Sequence, residues 1–299
     1  VDERIDRVRA GAYAELRAQV GGWRLLPGLR LEHDTLSGHW SPDPRLGLKW
    51  RPTPSLTLRA GLGRYSQFPS SDALSPAAGD PDLPAIRSEQ LALGVDGVLH
   101  ERLTLTGDVY GKQLREMVLE TPGQAPTGGV DGRALGAELG ARYRIRKVFF
   151  FWTTISMSHS QRLIGDAWSR YDWAQPLTLG LVASWTFLPE WNAGVRYRYG
   201  SGFPYTPVVD GLYQASVDSY EPMLGERNSA VMPAYQKIDL HLEHRWEREH
   251  WRGAVYAEGW IIPGRSNEMY PVYSYDYDEE TFVYGPHFVP ILGVRGELY

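Results

Sequence analysis

The sequence predicts an all-β chain, a transmembrane antiparallel β-barrel of outer-membrane type carrying about 13–14 strands. Apolar and polar residues alternate almost from end to end, short and long connections follow one another in turn, and 18 Tyr and 11 Trp occur in 299 residues. Alternation gives a strand two chemically different faces. Alternating connection lengths set tight turns at one end of a meander and long loops at the other. Amphipathic aromatics collect where one end of the ring is wet and the other greasy.

The rows follow in order along the chain. Ala12, Ala14, Leu16, Ala18 and Val20 form the first, with Glu15, Arg17 and Gln19 on its reverse. Leu46 and Leu48 oppose Lys49. Leu56, Leu58, Ala60 and Leu62 oppose Thr57, Arg59 and Gly61, and Arg64 is assigned to the charged side with them. Leu91, Leu93 and Val95 make the next row, then Leu103, Leu105 and Val109 against Thr104, Thr106, Asp108, Tyr110 and Lys112. Leu135, Ala137, Leu139 and Ala141 oppose Glu138 and Arg142. Leu177, Leu179, Leu181, Ala183 and Trp185 precede Ala193, Val195, Tyr197 and Tyr199, which face away from Arg196 and Arg198. Ile238, Leu240 and Leu242 oppose Asp239, His241 and Glu243; Val255, Ala257 and Gly259 oppose Tyr256, Glu258 and Trp260; Leu292, Val294 and Leu298 oppose Arg295 and Glu297. About thirteen strands result, and period 2 is their only strong rhythm.

Short connections are expected at Gly21 and Gly22, Arg51 to Pro54, Gly97 to Glu101, Ile145 to Lys147, Pro189 and Glu190, and Glu247 to His250. Long ones are expected at Asp34 to Asp43, Gln67 to Ala85, Thr121 to Val130, Gln161 to Tyr171, Ser201 to Pro233 and Arg265 to His287. A soluble sandwich also alternates, but these strands are long and their polar faces carry many charges. A propeller would show a repeat of about 40 residues, and none is found. Trp185 at the turn end of its strand and Tyr197 and Tyr199 at the loop end of theirs match two interfacial belts.

The net charge of −5 offers no basic field for nucleic acid. With no cysteine the chain has neither disulfides nor thiolate metal sites. No stretch of about 18 apolar residues makes a membrane helix, which leaves strands as the means of crossing. The opening VDERIDRVRAG does not read as a signal peptide. An odd count of strands does not close a single-chain bacterial barrel, so the chain is expected to be incomplete or to pair with another.

No catalytic constellation appears. The eight histidines form no HExxH-like pattern, His241 and His244 fall on opposite faces, and no nucleophile elbow surrounds Ser70, Ser71 or Ser158. Asp276, Asp278, Glu279 and Glu280 lack the glycine and spacing of a calcium loop. No metal, cofactor or enzymatic activity is therefore assigned. The candidate ligand-capture residues are loop aromatics able to stack on a solute: Tyr65, Phe68, Trp168, Phe203, Tyr205, Tyr213, Tyr270 and Tyr275. The alternative is that these rings pack loop against loop. The residues expected to face a wet lumen or an internal domain are Arg59, Arg64, Glu138, Arg142, Arg196, Arg198, Glu243 and Glu258.

The segments SPDPRLGLKWRPTPSLTLRAGLGRYSQFPS, IRSEQLALGVDG, LTLTGDVYGKQLREMV, SGFPYTPV, NSAVMPAYQKIDLHLEHRW and VPILGVRGELY resemble the C-terminal half of TonB-dependent outer-membrane receptors. That resemblance implies a barrel of about 22 strands, filled by a plug domain and powered through TonB. Residues 1–299 are then the C-terminal part of the barrel, without the plug. The implied partners are outer-membrane lipid, TonB, and the plug and remaining strands, supplied by a missing N-terminal part or another chain. The implied function is uptake of an unidentified scarce solute. The alternative is a plug-less channel, or a structural or adhesion barrel subunit that closes with a partner. Members end on an aromatic; Tyr299 is one, but it alternates with Arg295 and Glu297, which shifts the lipid-facing terminal residue to Leu298.

Overall fold

The computed structural model describes residues 6–75, 79–119, 126–261 and 268–298. The first five residues of the opening segment, parts of three long connections including Arg265, and Tyr299 lie outside the described residues.

Every regular element among the described residues is a strand. They are β1 (Arg9–Glu15), β2 (Ala18–Val20), β3 (Trp23–Asp34), β4 (Trp40–Thr53), β5 (Leu56–Gln67), β6 (Ile86–His100) and β7 (Leu103–Leu119). Then come β8 (Thr127–Ile145), β9 (Phe149–Ile164), β10 (Ala167–Arg170), β11 (Leu177–Leu188) and β12 (Trp191–Gly200). The next group is short: β13 (Pro204–Tyr205), β14 (Val208–Gln214), β15 (Ser219–Leu224) and β16 (Ala230–Val231). The chain ends with β17 (Tyr235–Glu247), β18 (Trp251–Ile261), β19 (Glu268–Tyr273), β20 (Glu280–Tyr284) and β21 (Phe288–Leu298).

One fifteen-stranded sheet has the order β1-β3-β4-β5-β6-β7-β8-β9-β11-β12-β17-β18-β21, with β2 beside β3 and β10 beside β9. Thirteen strands thus follow chain order, the number the sequence predicts. β1 and β2 hold one register against β3, and the gap between them faces Pro27, which has no N–H to return to Leu16. Two compact units are distinguishable, one of Val1–Gly97, Gly107–Ala137 and His159–Ser169, the other of Val98–Thr106, Glu138–Ser158 and Arg170–Tyr299.

The tight turns fall where expected, with breaks in strand of two or three residues after Val20, Thr53, His100, Ile145, Leu188 and Glu247. Gly21, at φ +56°, supplies the left-handed residue of the first. The connection expected to be long from Asp34 to Asp43 is instead residues 35–39, with Pro42 and Pro44 inside β4. Proline misleads here because β4 tolerates it: the ladder to β5 stops at Arg45, and the Asp43 carboxylate accepts the amide of Ser66 at 3.0 Å. Asp34 closes the same end, accepting the amides of Leu36 and Ser37 at 3.0 Å. Three of the other long connections carry strands of their own. The pairs β13 with β16, β14 with β15, and β19 with β20 are small separate sheets, and β10 extends the hairpin on β9.

Cross-strand register turns the sequence rows into continuous faces. Leu62 meets Leu46 and Leu91, and Leu58 meets Trp50 and Val95. In the second unit Val195 lies between Ala183 and Leu240, and Ala257 between Leu242 and Leu292. These aliphatic rows are solvent-exposed, Leu135 at 61% and Leu240 at 45%. Among the described residues the cluster of buried hydrophobics is centred off the sheet, on Ala73, Leu74 and Leu83 between β5 and β6, with Leu36 and Val118 packed against it. A sheet with one uncovered aliphatic face and a charged reverse needs a non-aqueous medium on the first side.

Candidate functional site

The charged face is built by the residues one position off each aliphatic row. In the first unit Arg59 Nη2 lies 3.0 Å from Asp96 Oδ1 and 3.1 Å from Asp108. The guanidinium crosses Gly94, where a Cβ would sit 3.0 Å from Arg59 Nη2 and closer still to Asp108. Glycine at that point is what allows one arginine to reach both carboxylates.

The second unit holds a denser network. Asp239 accepts from Arg196 Nε at 2.8 Å, with Lys237 Nζ also at 2.8 Å and Arg198 Nη2 at 4.0 Å. Lys237 Nζ lies 3.7 Å from the centre of the Trp260 ring. His241 Nδ1 and Glu258 Oε1 are 3.0 Å apart, and the Tyr256 ring stacks on the imidazole. Glu243 is almost wholly buried and bridged by Arg245 and, at 3.0 Å, by Arg295 Nη2. Arg252 and Glu297 pair at 2.7 Å nearby. A cavity of about 850 Å³ opens at this turn end, lined among others by Lys147, Glu190, Arg245, Glu247, Arg252 and Arg295. Glu138 accepts weakly from Ser156 at 3.4 Å, and Arg142 is exposed on the same face.

Arg64 departs from the sequence assignment. It lies two residues beyond Leu62 on an unshifted register with β6, so it shares the leucine face, while Tyr65 turns inward under Arg45 at 4.6 Å. Counting by twos from Leu56 reaches Arg64 directly. Its charge suggests the polar face, but its parity sets it on the other.

The eight candidate aromatics divide. Phe68 is buried, 4% exposed, and has no face to offer a solute. Its position after a strand that ends at Gln67 is what made it resemble a loop-tip aromatic. Tyr65 and Trp168 each carry a guanidinium over one ring face, from Arg45 at 4.6 Å and Arg133 at 4.2 Å. Phe203 meets Trp173 edge-on at 5.6 Å. Tyr213, Tyr220 and Tyr275 form a ring chain with centroid separations of 5.2 and 5.6 Å, joining the β14–β15 hairpin to the β19–β20 hairpin. Tyr275 donates to Asp218 O at 2.6 Å, and Tyr213 to Asp218 Oδ1 at 2.7 Å, which pushes the Tyr213 phenol pKa up. Tyr270 and Tyr275 remain largely exposed.

Glu280 was not singled out for this role by the sequence: its Oε1 accepts from Tyr205 at 3.1 Å and Tyr273 at 2.9 Å. Partial burial, with the neighbouring carboxylate, pushes the Tyr273 phenol up. Asp276 is held below the usual aspartate range by the Ser274 hydroxyl at 2.6 Å and the Asp278 amide. Asp172, bonded to Arg227 at 3.2 Å and to Asn228 at 2.6 Å, was likewise missed. These partners come from connections whose internal hairpins leave no period-2 signal. Among the described residues no group of three or more His, Asp or Glu converges as a metal site.

An uncovered aliphatic face, a charged reverse, short turns opposite long loops and aromatics at both ends of the strands define a membrane β-barrel protein of outer-membrane type. Residues 1–259 match the family model described as TonB dependent receptor-like, beta-barrel. The chain belongs to that family, one of outer-membrane receptors and not of enzymes. No curated protein sequence matches it. Among solved structures, the FrpB iron transporter of Neisseria meningitidis (F3-3 variant) is similar at 16% identity and TM-score 0.65, over 98% of this chain and 45% of that one. The outer membrane transporter YddB of Escherichia coli is similar at 12% identity and TM-score 0.69, over 99% and 46%. The copper transporter OprC is similar at 18% identity and TM-score 0.61, over 84% and 42%. The chain thus spans less than half the length of each.

Proposed function

We propose that this chain is the C-terminal part of the barrel of a TonB-dependent receptor importing a scarce solute across the outer membrane. The observation that carries the proposal is the family match joined to a sheet whose two faces are separately suited to lipid and to a polar interior. The chain's length against its structural relatives supports completion of the barrel by further strands, as does the physics of the sheet ends. β1 and β21 each pair on one side only among the described residues. Each unpaired backbone group costs several kcal/mol in lipid, so both edges are partnered in the membrane.

In this reading Arg59, Glu138, Arg142, Arg196, Arg198, Glu243 and Glu258 face a plug domain or water. The exposed loop rings, Tyr270 and Tyr275 first, contact the solute. The test is uptake by the full-length protein in cells with and without TonB, using iron and copper complexes first because similarly folded proteins carry those names. Accumulation that requires both the protein and TonB supports the proposal. Equal accumulation without TonB identifies a plug-less channel, and no accumulation of any solute in a broad panel leaves the structural or adhesion reading in its place.

A further inference from the structure

We propose that the two hairpins on the loop side of the second unit, β14–β15 and β19–β20, together bind a short basic peptide that carries apolar side chains between its positive charges. The proposal rests on the reading above that exposed loop rings contact the solute, and it names the class of solute.

Residues 204–224 and 268–284, which contain the hairpins, hold eight of the chain's 36 acidic residues and eight of its 18 tyrosines, and none of its Lys, Arg or His. The rest of the chain is therefore net basic, and the whole negative balance lies in these two segments. Asp210, Asp218 and Glu221 on the first and Asp276, Asp278 and Glu279 on the second are exposed. Asp218 and Asp276 accept from the neutral hydroxyls of Tyr213 and Ser274, which orient the carboxylates and leave their charge in place.

The hairpins are locked into one body. A Cβ on Gly211 would meet Asp276 O at 2.1 Å, so the two backbones touch. Tyr275 donates to Asp218 O and packs on Tyr220, and Tyr273 accepts from the Val208 amide at 3.3 Å while donating to Glu280. A surface held in one geometry beforehand loses less conformational freedom when a ligand arrives. Its apolar side chains are nevertheless uncovered: Leu212 and Tyr213 point to opposite faces of β14 and are 56% and 50% exposed, and Leu224 and Tyr270 are exposed as well. A two-stranded ribbon bare on both faces is marginal in water, and an exposed apolar patch of this kind marks an interaction site.

Charge and shape select the occupant. Ammonium and guanidinium groups pair with the carboxylates and lie on tyrosine faces, while apolar side chains cover Leu212 and Leu224. A small polyamine would leave the aliphatic side chains wet, and an apolar solute would bury carboxylates without partners. Each hairpin is a separate two-stranded sheet, so among the described residues every strand keeps one edge with no neighbouring strand, and an extended peptide backbone adds to such an edge.

The test titrates the full-length protein in phosphatidylcholine nanodiscs with a labelled peptide of repeating Lys-Val-Arg-Leu, reading anisotropy against empty discs. The E221Q/D278N/E279Q variant, none of whose altered side chains is part of the lock, and the L212S/Y270S variant are each expected to weaken binding at least about tenfold. The E101Q/E190Q/E249Q variant, with the same charge change at the turn end, is expected to bind as wild type does. Added salt is expected to weaken wild-type binding. Equal binding by wild type and all three variants, or equal binding of the counterpart peptide with glutamate at every basic position, overturns the proposal. Displacement of the peptide by spermidine at equal strength assigns the surface to a small polycation and overturns it too. Binding as expected by a protein that takes up no solute in a TonB-dependent way removes the receptor reading and leaves the peptide site. TonB-dependent uptake of a metal complex with no peptide bound removes only this inference.

Discussion

Leu240 and His241 are neighbours on β17 that face opposite ways, so arginine at each separates the two faces of the sheet in one experiment. Leu240 lies opposite Val195, and Val195 is the midpoint of the β12 row running from Trp191 to Tyr199. That row rises about 27 Å along the strand at ~3.4 Å per residue. With a tilt of about 40° it spans about 21 Å of membrane depth, close to the ~25 Å apolar band of such barrels. Leu240 is therefore near the midplane, where an outward arginine costs about 2–4 kcal/mol. The folding equilibrium should fall by roughly 30- to 700-fold at 1.4 kcal/mol per decade. His241→Arg points to the polar side, keeps Glu258 as an ionic partner, and should change stability by no more than about 0.5 kcal/mol. The assay is urea unfolding of the full-length protein in short-chain phosphatidylcholine vesicles, followed by tryptophan fluorescence. If the two variants lose equal stability, or His241→Arg loses more, the division into a lipid face and a polar face is wrong.

Four further outcomes are expected. Removing both Arg245 and Arg295 should cost about 3 kcal/mol by stranding the buried Glu243, whereas Glu243→Ala should cost only about 1 kcal/mol because both arginines reach water; the same urea assay compares them. Gly94→Ala should cost about 1–3 kcal/mol and loosen the Arg59 bridge, visible as faster amide exchange at Asp96 and Asp108. Phe68→Ala should unfold the 68–85 connection at lower denaturant while leaving the sheet transition unchanged, as limited proteolysis would show. Asp276 has a depressed pKa, so its contribution to the β19–β20 turn is present above the ordinary aspartate value and lost as pH falls through its own; Tyr213 is the converse, contributing below the ordinary tyrosine value and losing it as pH rises through its raised one. Hydrogen exchange in the acid range and absorbance at alkaline pH read these two.

Most of the sheet was legible because its code is local. Period 2 and turn residues give thirteen strands in chain order, and the register of β11, β12, β17, β18 and β21 follows from aligning their aliphatic rows. The failures have separate causes. Pro42 and Pro44 read as loop because proline is rare in ladders, yet β4 needs no bond to β5 at that level. Arg64 read as interior because its charge was given more weight than its parity. Phe68 reads as exposed because it follows directly on β5, and no alternation announces that the connection after β5 buries Phe68, Ala73, Leu74 and Leu83. Among the loops, Glu280 and Asp172 gain their partners from hairpins distant in sequence, Tyr205 and Arg227 respectively, so residue type alone could not pair them.

Part of the charged face carries its own neutralisation, and this bears on anything seated against it. Arg59 is shared between Asp96 and Asp108, Arg196 and Lys237 converge on Asp239, Arg295 and Arg245 on Glu243, and Arg252 on Glu297, all within the sheet. A plug domain docking there would exchange existing ion pairs for new ones and gain only the net of the two, about 1 kcal/mol or less for each exposed pair. Such a wall would hold an internal domain through many weak contacts and release it without leaving a buried charge uncompensated.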